Sequence, residues 1–214
     1  MSRLILKQQA ASPGTPASGK LSVYADNSAV PRLATTEPAG NVIKYSPVNA
    51  AFSTGTVSAA YATNTYMVGS GIPVPSVIGA GSTYYCCFDM VKTGAGTAAP
   101  VVTVVFGTAG TTGDTARLTF TFAVGTAVID TGMIEVWCHF RTVGGSGVLV
   151  GVCRISHALA ATGLTTTGAS GNGQLAVVSG SFDTTVAGSK IGVCFNGGTS
   201  FSGTCTLCES MLVV

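Results

Sequence analysis

The 214-residue chain carries ten Lys and Arg against eight Asp and Glu, a formal net charge of +2, and only 8% of its residues are charged, against roughly 25% in an ordinary soluble domain. With 46% hydrophobic letters it is too apolar for a disordered polar chain, and it lacks the basic surface of a nucleic-acid binder. The scarcity of Lys, Glu, Gln and Arg argues against a mostly helical protein.

Residues 1–50 read differently from the rest. Leu4-Ile5-Leu6 is the only apolar run near the start, too short for the apolar core of a signal peptide. No run in the chain approaches the roughly 20 residues of a membrane span. The expectation is a chain folded in a cytoplasm, with no membrane partner. QQAASPGTPASGK is a Pro/Gly/Ser/Ala linker that cannot hold regular structure for long. Lys20 to Asp26 reads as a short strand with Leu21 and Val23 on one side, and a second falls near Val42 to Tyr45. The whole stretch reads as an extended arm that a partner orders.

Residues 51–214 read as a series of strands between Gly/Thr turns. TYYCCFDMV sets Tyr84, Cys86, Phe88 and Met90 against Tyr85, Cys87 and Asp89. PVVTVVFGT follows. TARLTFTFA points Leu118, Phe120 and Phe122 inward, and Arg117, Thr119 and Thr121 outward. MIEVWCHFRTV puts Ile134, Val136, Cys138 and Phe140 on one face and Glu135, Trp137, His139 and Arg141 on the other. GVLVGVCRISH pairs with it as a hairpin across GGSG. QLAVVSGSF, SKIGVCFN and GTCTLCESMLVV complete about eight strands from Ser82 onward. HALAATG, the weak helix candidate, reads as a turn or loop. Short strands at this spacing predict an all-β antiparallel sandwich. Periodicity does not separate jelly-roll from immunoglobulin-like topology.

The polar residues offer little chemistry. The seven cysteines are odd in number and read as reduced, buried small hydrophobes. Cys205 and Cys208, three apart in a strand, should fall on opposite faces, which removes half a zinc knuckle. Asp130-Thr131-Gly132 copies the aspartic-protease tripeptide, but those enzymes need two carboxylates. Asp183-Thr184-Thr185 lacks the glycine, and Asp130, which follows one strand and precedes another, reads as a turn residue. His139 and His157 read as surface or interface histidines, with no nucleophile beside them. Asp114, Asp130 and Asp183 are too scattered to predict calcium. No metal, cofactor or catalytic residue is predicted.

A surface this poor in charge suits a subunit in a large assembly, since a free monomer relies on charge for solubility. Trp and Arg are enriched in contact cores, so Glu135, Trp137, His139 and Arg141 are the expected subunit interface. Carbohydrate stacking on Trp137 is the alternative.

The opening ILKQQAASPGTPASGKLSVYADNSAVPRL resembles the N-terminal signature of tailed-bacteriophage structural proteins, through Pro16, Ala17, Ser18, Gly19, Lys20, Val23 and Tyr24. MVKTGAGTAAPVVTVVFGTAGTTGDTARLTFTF and the segments after it, over about Thr83 to Gly198, resemble the sandwich domain of the same proteins. The resemblance implies a non-enzymatic virion component with a jelly-roll-like body. It would be a capsid decoration or cement protein on the outer surface of the head. The alternative is a tail fibre, collar or knob subunit whose sandwich binds a host-surface glycan. It further implies a homotrimer and contact with the major capsid protein or neighbouring virion proteins, without direct contact to nucleic acid. Leu4, Ile5, Leu6, Lys20, Val23 and Tyr24 are the expected anchoring residues of the arm.

Overall fold

The computed structural model describes residues 8–9, 22–26, 33–36, 42–45 and 48–214, except 76–77, 160 and 167–171. The chain divides into two units, Met1–Val48 with Val213–Val214, and Asn49–Leu212. In the first, β1 (Gln8–Gln9), β2 (Ser22–Asp26), β3 (Leu33–Thr36) and β4 (Val42–Tyr45) form one sheet in that order. β1 runs parallel to β2, and β2, β3 and β4 form an antiparallel meander. The expected extended arm thus has backbone pairing of its own. Tetrapeptides such as Leu33–Thr36 find ladder partners on both sides, even though each is too short to form a core.

The second unit is an antiparallel sandwich. Its strands are β5 (Val48–Ser53), β6 (Val57–Ala59), β7 (Thr65–Tyr66), β8 (Ile72–Pro73), β9 (Thr83–Lys92), β10 (Val101–Gly107), β11 (Thr115–Thr121), β12 (Asp130–Thr142), β13 (Val148–His157), β14 (Asn172–Val178), β15 (Lys190–Asn196), β16 (Gly203–Cys205) and β17 (Cys208–Val213). One layer runs β11-β10-β15-β7, with β8 also on β15. The other runs β14-β13-β12-β9-β16-β6, with β17 beside β9 and β5 beside β17. His157 ends β13, and the HALAATG segment after it is irregular among its described residues.

Period-two alternation decides what each layer buries. Tyr84, Cys86, Phe88 and Met90 of β9 are fully buried, as are Leu118 and Phe120 of β11 and Ile134, Val136, Cys138 and Phe140 of β12. The two layers meet through these side chains. Phe88 of one lies edge-on to Phe195 of the other, centroids 6.1 Å apart, and Phe195 also meets Tyr61 and Phe201 edge-on. Gly151 of β13 makes room for Leu118 from the facing layer: a Cβ there would lie 2.6 Å from Leu118 Cδ1 and 3.0 Å from Cys138 Sγ.

The last predicted strand is two, β16 and β17, because Asp89 interrupts it. Its carboxylate accepts hydrogen bonds from the backbone N–H of Thr206 and of Leu207, both at 2.7 Å, and from the Thr206 hydroxyl at 2.5 Å. The Asp89 N–H donates to the Leu207 carbonyl at 3.1 Å. The two residues looped out by these bonds break the alternation. Cys205 and Cys208 therefore both point inward, 4% and 0% exposed, and not to opposite faces as strict alternation predicts. Cys208 Sγ lies 3.9 Å from Cys86 Sγ. Partial burial opposes ionisation of Asp89, but the donors from Thr206 and Leu207 outweigh it and hold its pKa below the ordinary value.

Two outcomes are expected. Gly151→Val should overpack the layer contact with Leu118 and lower stability by about 1–3 kcal/mol, read from the urea midpoint. A carboxylate whose folded pKa lies below its unfolded value stabilises above the unfolded pKa, about 3.9. That stabilisation is lost as pH falls through the folded pKa. Asp89→Asn should therefore destabilise the protein near neutral pH and flatten the loss of urea stability in acid.

Candidate interaction surface

β12 is central in its layer, so its outward residues have neighbours on both sides. Ile129, just before the strand, begins a row that continues through Thr131, Met133, Glu135, Trp137, His139 and Arg141. Every member but the half-buried Glu135 is exposed, with Trp137 at 47%. The four residues expected at an interface thus share one open face. Register sets their partners. Tyr85 of β9 and Val152 of β13 flank Trp137, Cys87 and Arg154 flank Glu135, and Thr83 and Val150 flank His139. The Tyr85 and Trp137 rings lie 4.4 Å apart, tilted by 53°. His139 Nδ1 is 2.9 Å from the Thr83 hydroxyl. Arg154 Nε lies 3.8 Å from Glu135 and donates to the Ser156 hydroxyl at 2.9 Å.

The face is more apolar than the four predicted residues show. Met133, Leu207, Met211 and Val178 are exposed large hydrophobics, and Val150, Val152 and Tyr85 are half-buried beside them. The same alternation that marks Trp137 also marks Met133 and Tyr85. Finding the rest requires the order of the strands. Acid gathers at one end. Asp89 pairs across from Met133. Glu135 and Glu209 lie near enough to Tyr85 and Cys87 to push the phenol and the thiol up, after burial, the larger cause. Two shallow hollows flank the start of β12, sharing Thr131 and Ala158. One, of about 400 Å³, is walled by Val91, Ile129 and Leu159, and the other, of about 320 Å³, by Met133 and Ser156.

Beneath this end, facing the interior, sits a polar cluster that the sequence reading missed. Asp130 and Lys92 are cross-strand partners, and Gly132 pairs with His157. Asp130 is not a turn residue, and His157 is not a surface histidine. Both are in phase with the inward positions of their strands, Asp130 with Ile134 and His157 with Cys153 and Ile155, and that phase was the available signal. The two side chains are fully buried, with His157 Nδ1 2.6 Å from Asp130 Oδ2. The same oxygen accepts the Leu164 N–H at 2.9 Å, and Oδ1 accepts the Thr131 N–H at 2.8 Å. Gly163 approaches with φ +88°, where a Cβ would fall 2.2 Å from Oδ2, so only glycine fits there. The Lys92 ammonium donates to the carbonyls of Thr126 and, at 3.3 Å, Gly163. Burial pulls the Lys92 pKa down, and Asp130 partly offsets it.

A catalytic triad would need a hydroxyl or thiol on His157 Nε2, and that atom is buried with no hydrogen-bond partner. The arrangement is a His–Asp pair that ties the 163–165 loop to the strand ends. Among the described residues no three His, Cys, Asp or Glu side chains are placed to hold a metal ion, and no helix is long and apolar enough to cross a membrane. All seven cysteines are free and buried, and burial pushes the Cys138 and Cys153 thiols up. Of the expected anchoring residues, Val23 and Tyr24 fall on β2, while Leu4, Ile5, Leu6 and Lys20 lie outside the described residues.

No protein-family model matches the chain, and no curated protein matches it significantly.

Asp130→Ala should strand the Lys92 ammonium and the His157 ring in the interior, costing about 3–5 kcal/mol by urea denaturation. Trp137→Ala, on the open face, should change stability far less.

Proposed function

We propose that this chain is a non-enzymatic structural component of a tailed-bacteriophage virion, a capsid decoration or cement protein whose sandwich works by surface contact. The observation that carries this reading is the outward row of β12. It is a strand face whose members are exposed except for the half-buried Glu135, and it carries Trp137, in a chain with only 8% charged residues. Outer faces of free antiparallel sheets are ordinarily polar. A large exposed apolar patch rimmed by polar groups marks a contact site. The resemblance of the Pro16–Tyr24 stretch and of the body to tailed-phage structural proteins supplies the setting. The body is read as jelly-roll-like because its chain crosses repeatedly between the two layers, from β9 to β10, from β11 to β12 and from β14 to β15.

A second reading rests on the Tyr85–Trp137 pair, whose tilted rings at 4.4 Å offer an aromatic platform between Glu135 and His139 on the same strand face. A tail fibre or knob subunit would use it to stack on a host-surface glycan.

Densitometry of purified particles separates the two. A cement protein should be present at a copy number comparable with the shell protein, and a tail subunit at a small fraction of it. Absence of the chain from washed particles would end both readings. Trp137→Ala should reduce binding to host cell-surface polysaccharide only under the second.

A further inference from the structure

The outer face of the β14-β13-β12-β9-β17 layer carries a charge pattern that is complementary to itself. Along β12, Glu135 precedes Trp137, and His139 and Arg141 follow it. On the neighbouring strands the acids lie on the Glu135 side, with Asp89 across from Met133 and Glu209 near Cys87 and Tyr85. Arg154 sits against Glu135 at 3.8 Å. This is a single exposed contact of the kind that contributes little, and it leaves the acidic end with an excess of carboxylates. The far end carries His139, flanked by the uncharged Thr83 and Val150, and the exposed Arg141, which lies at the register shift between Phe140 and Thr142. The aromatic pair Tyr85–Trp137 lies between the two ends.

We infer that this face binds the same face of a second copy about a two-fold axis passing between Trp137 and His139. The two β12 strands then run antiparallel, which sets Glu135 against Arg141 of the second copy and Trp137 against His139 of the second copy. Parallel stacking would bring acid to acid. A two-fold contact closes on itself and leaves no free copy of the patch, in place of the three-fold ring that the phage resemblance implies. Size is adequate. Five strands about 4.8 Å apart and about 3.3 Å per residue give a face on the order of 700 Å², near the roughly 800 Å² each partner contributes to a standard interface. The inference rests on the reading of this face as a contact surface and is independent of the virion setting.

The test is sedimentation equilibrium of the full chain with Glu135→Arg, Arg141→Glu and an equimolar mixture of the two. The unaltered chain should be a dimer. Each single variant meets like charge across the axis and should weaken self-association at least about tenfold. In the mixture every crossing pair is again opposite in sign, so a heterodimer should recover the original affinity. A merely destabilising substitution would not be rescued in this way, and circular dichroism melts check that both variants fold. A monomeric unaltered chain, a trimer, or a mixture that fails to recover overturns the inference. A dimer absent from particles would remove the virion reading and leave this one standing, while a particle protein that is monomeric in solution would do the reverse.

Discussion

The alternation along β12 is the constraint on which both faces of the larger layer depend. Its inward positions run Asp130, Gly132, Ile134, Val136, Cys138 and Phe140, and its outward positions run Thr131 to Arg141. Because it is hydrogen-bonded to β9 on one side and β13 on the other, its register is transmitted to both. A slip of one residue would bring Trp137, His139 and Arg141 into the interior and expel Val136, Cys138 and Phe140. Burial of the aliphatic and aromatic side chains, at roughly 1.5–3 kcal/mol each, makes such a slip prohibitive. The core, the polar cluster at its rim and the open outer face are thus three results of one phase.

Alternation is also why much of the fold was legible in the sequence. The inward sets of β9, β11 and β12 followed from counting by two, and so did the grouping of Glu135, Trp137, His139 and Arg141. What was not legible depended on partners distant in sequence. Cys205 and Cys208 turn the same way only because Asp89, more than a hundred residues earlier, draws the Thr206 and Leu207 amides into a bulge. Strands as short as Thr65–Tyr66 and Ile72–Pro73 exist because β15 offers them an edge, and no local pattern announces a two-residue strand. For Asp130 and His157 polarity points outward and strand phase points inward, and phase decides. A carboxylate can occupy an inward position when an imidazole and two backbone amides meet it there.

The Asp130 cluster shows how this sandwich closes one end. Aliphatic side chains could seal the layer contact, but they could not satisfy the amides of Thr131 and Leu164 or the carbonyls of Thr126 and Gly163. Buried polar backbone needs partners, and one carboxylate with one ammonium supplies four of them. The cluster thereby ties Gly163 and Leu164 to the strand ends and holds Asp130 and His157 behind the hollows beside Thr131. The outer face is shaped from within by residues that do not appear on it.

The interior thiols have a consequence of a different kind. Seven reduced sulfurs spread through both layers, all shielded from solvent, react with a maleimide only when the strand that carries them opens. Cys194 on β15, Cys153 on β13 and Cys208 on β17 sit in different strands, so the order in which they become alkylated would trace which parts of the sandwich breathe first. The sequence has in effect distributed its own chemical clocks across the molecule.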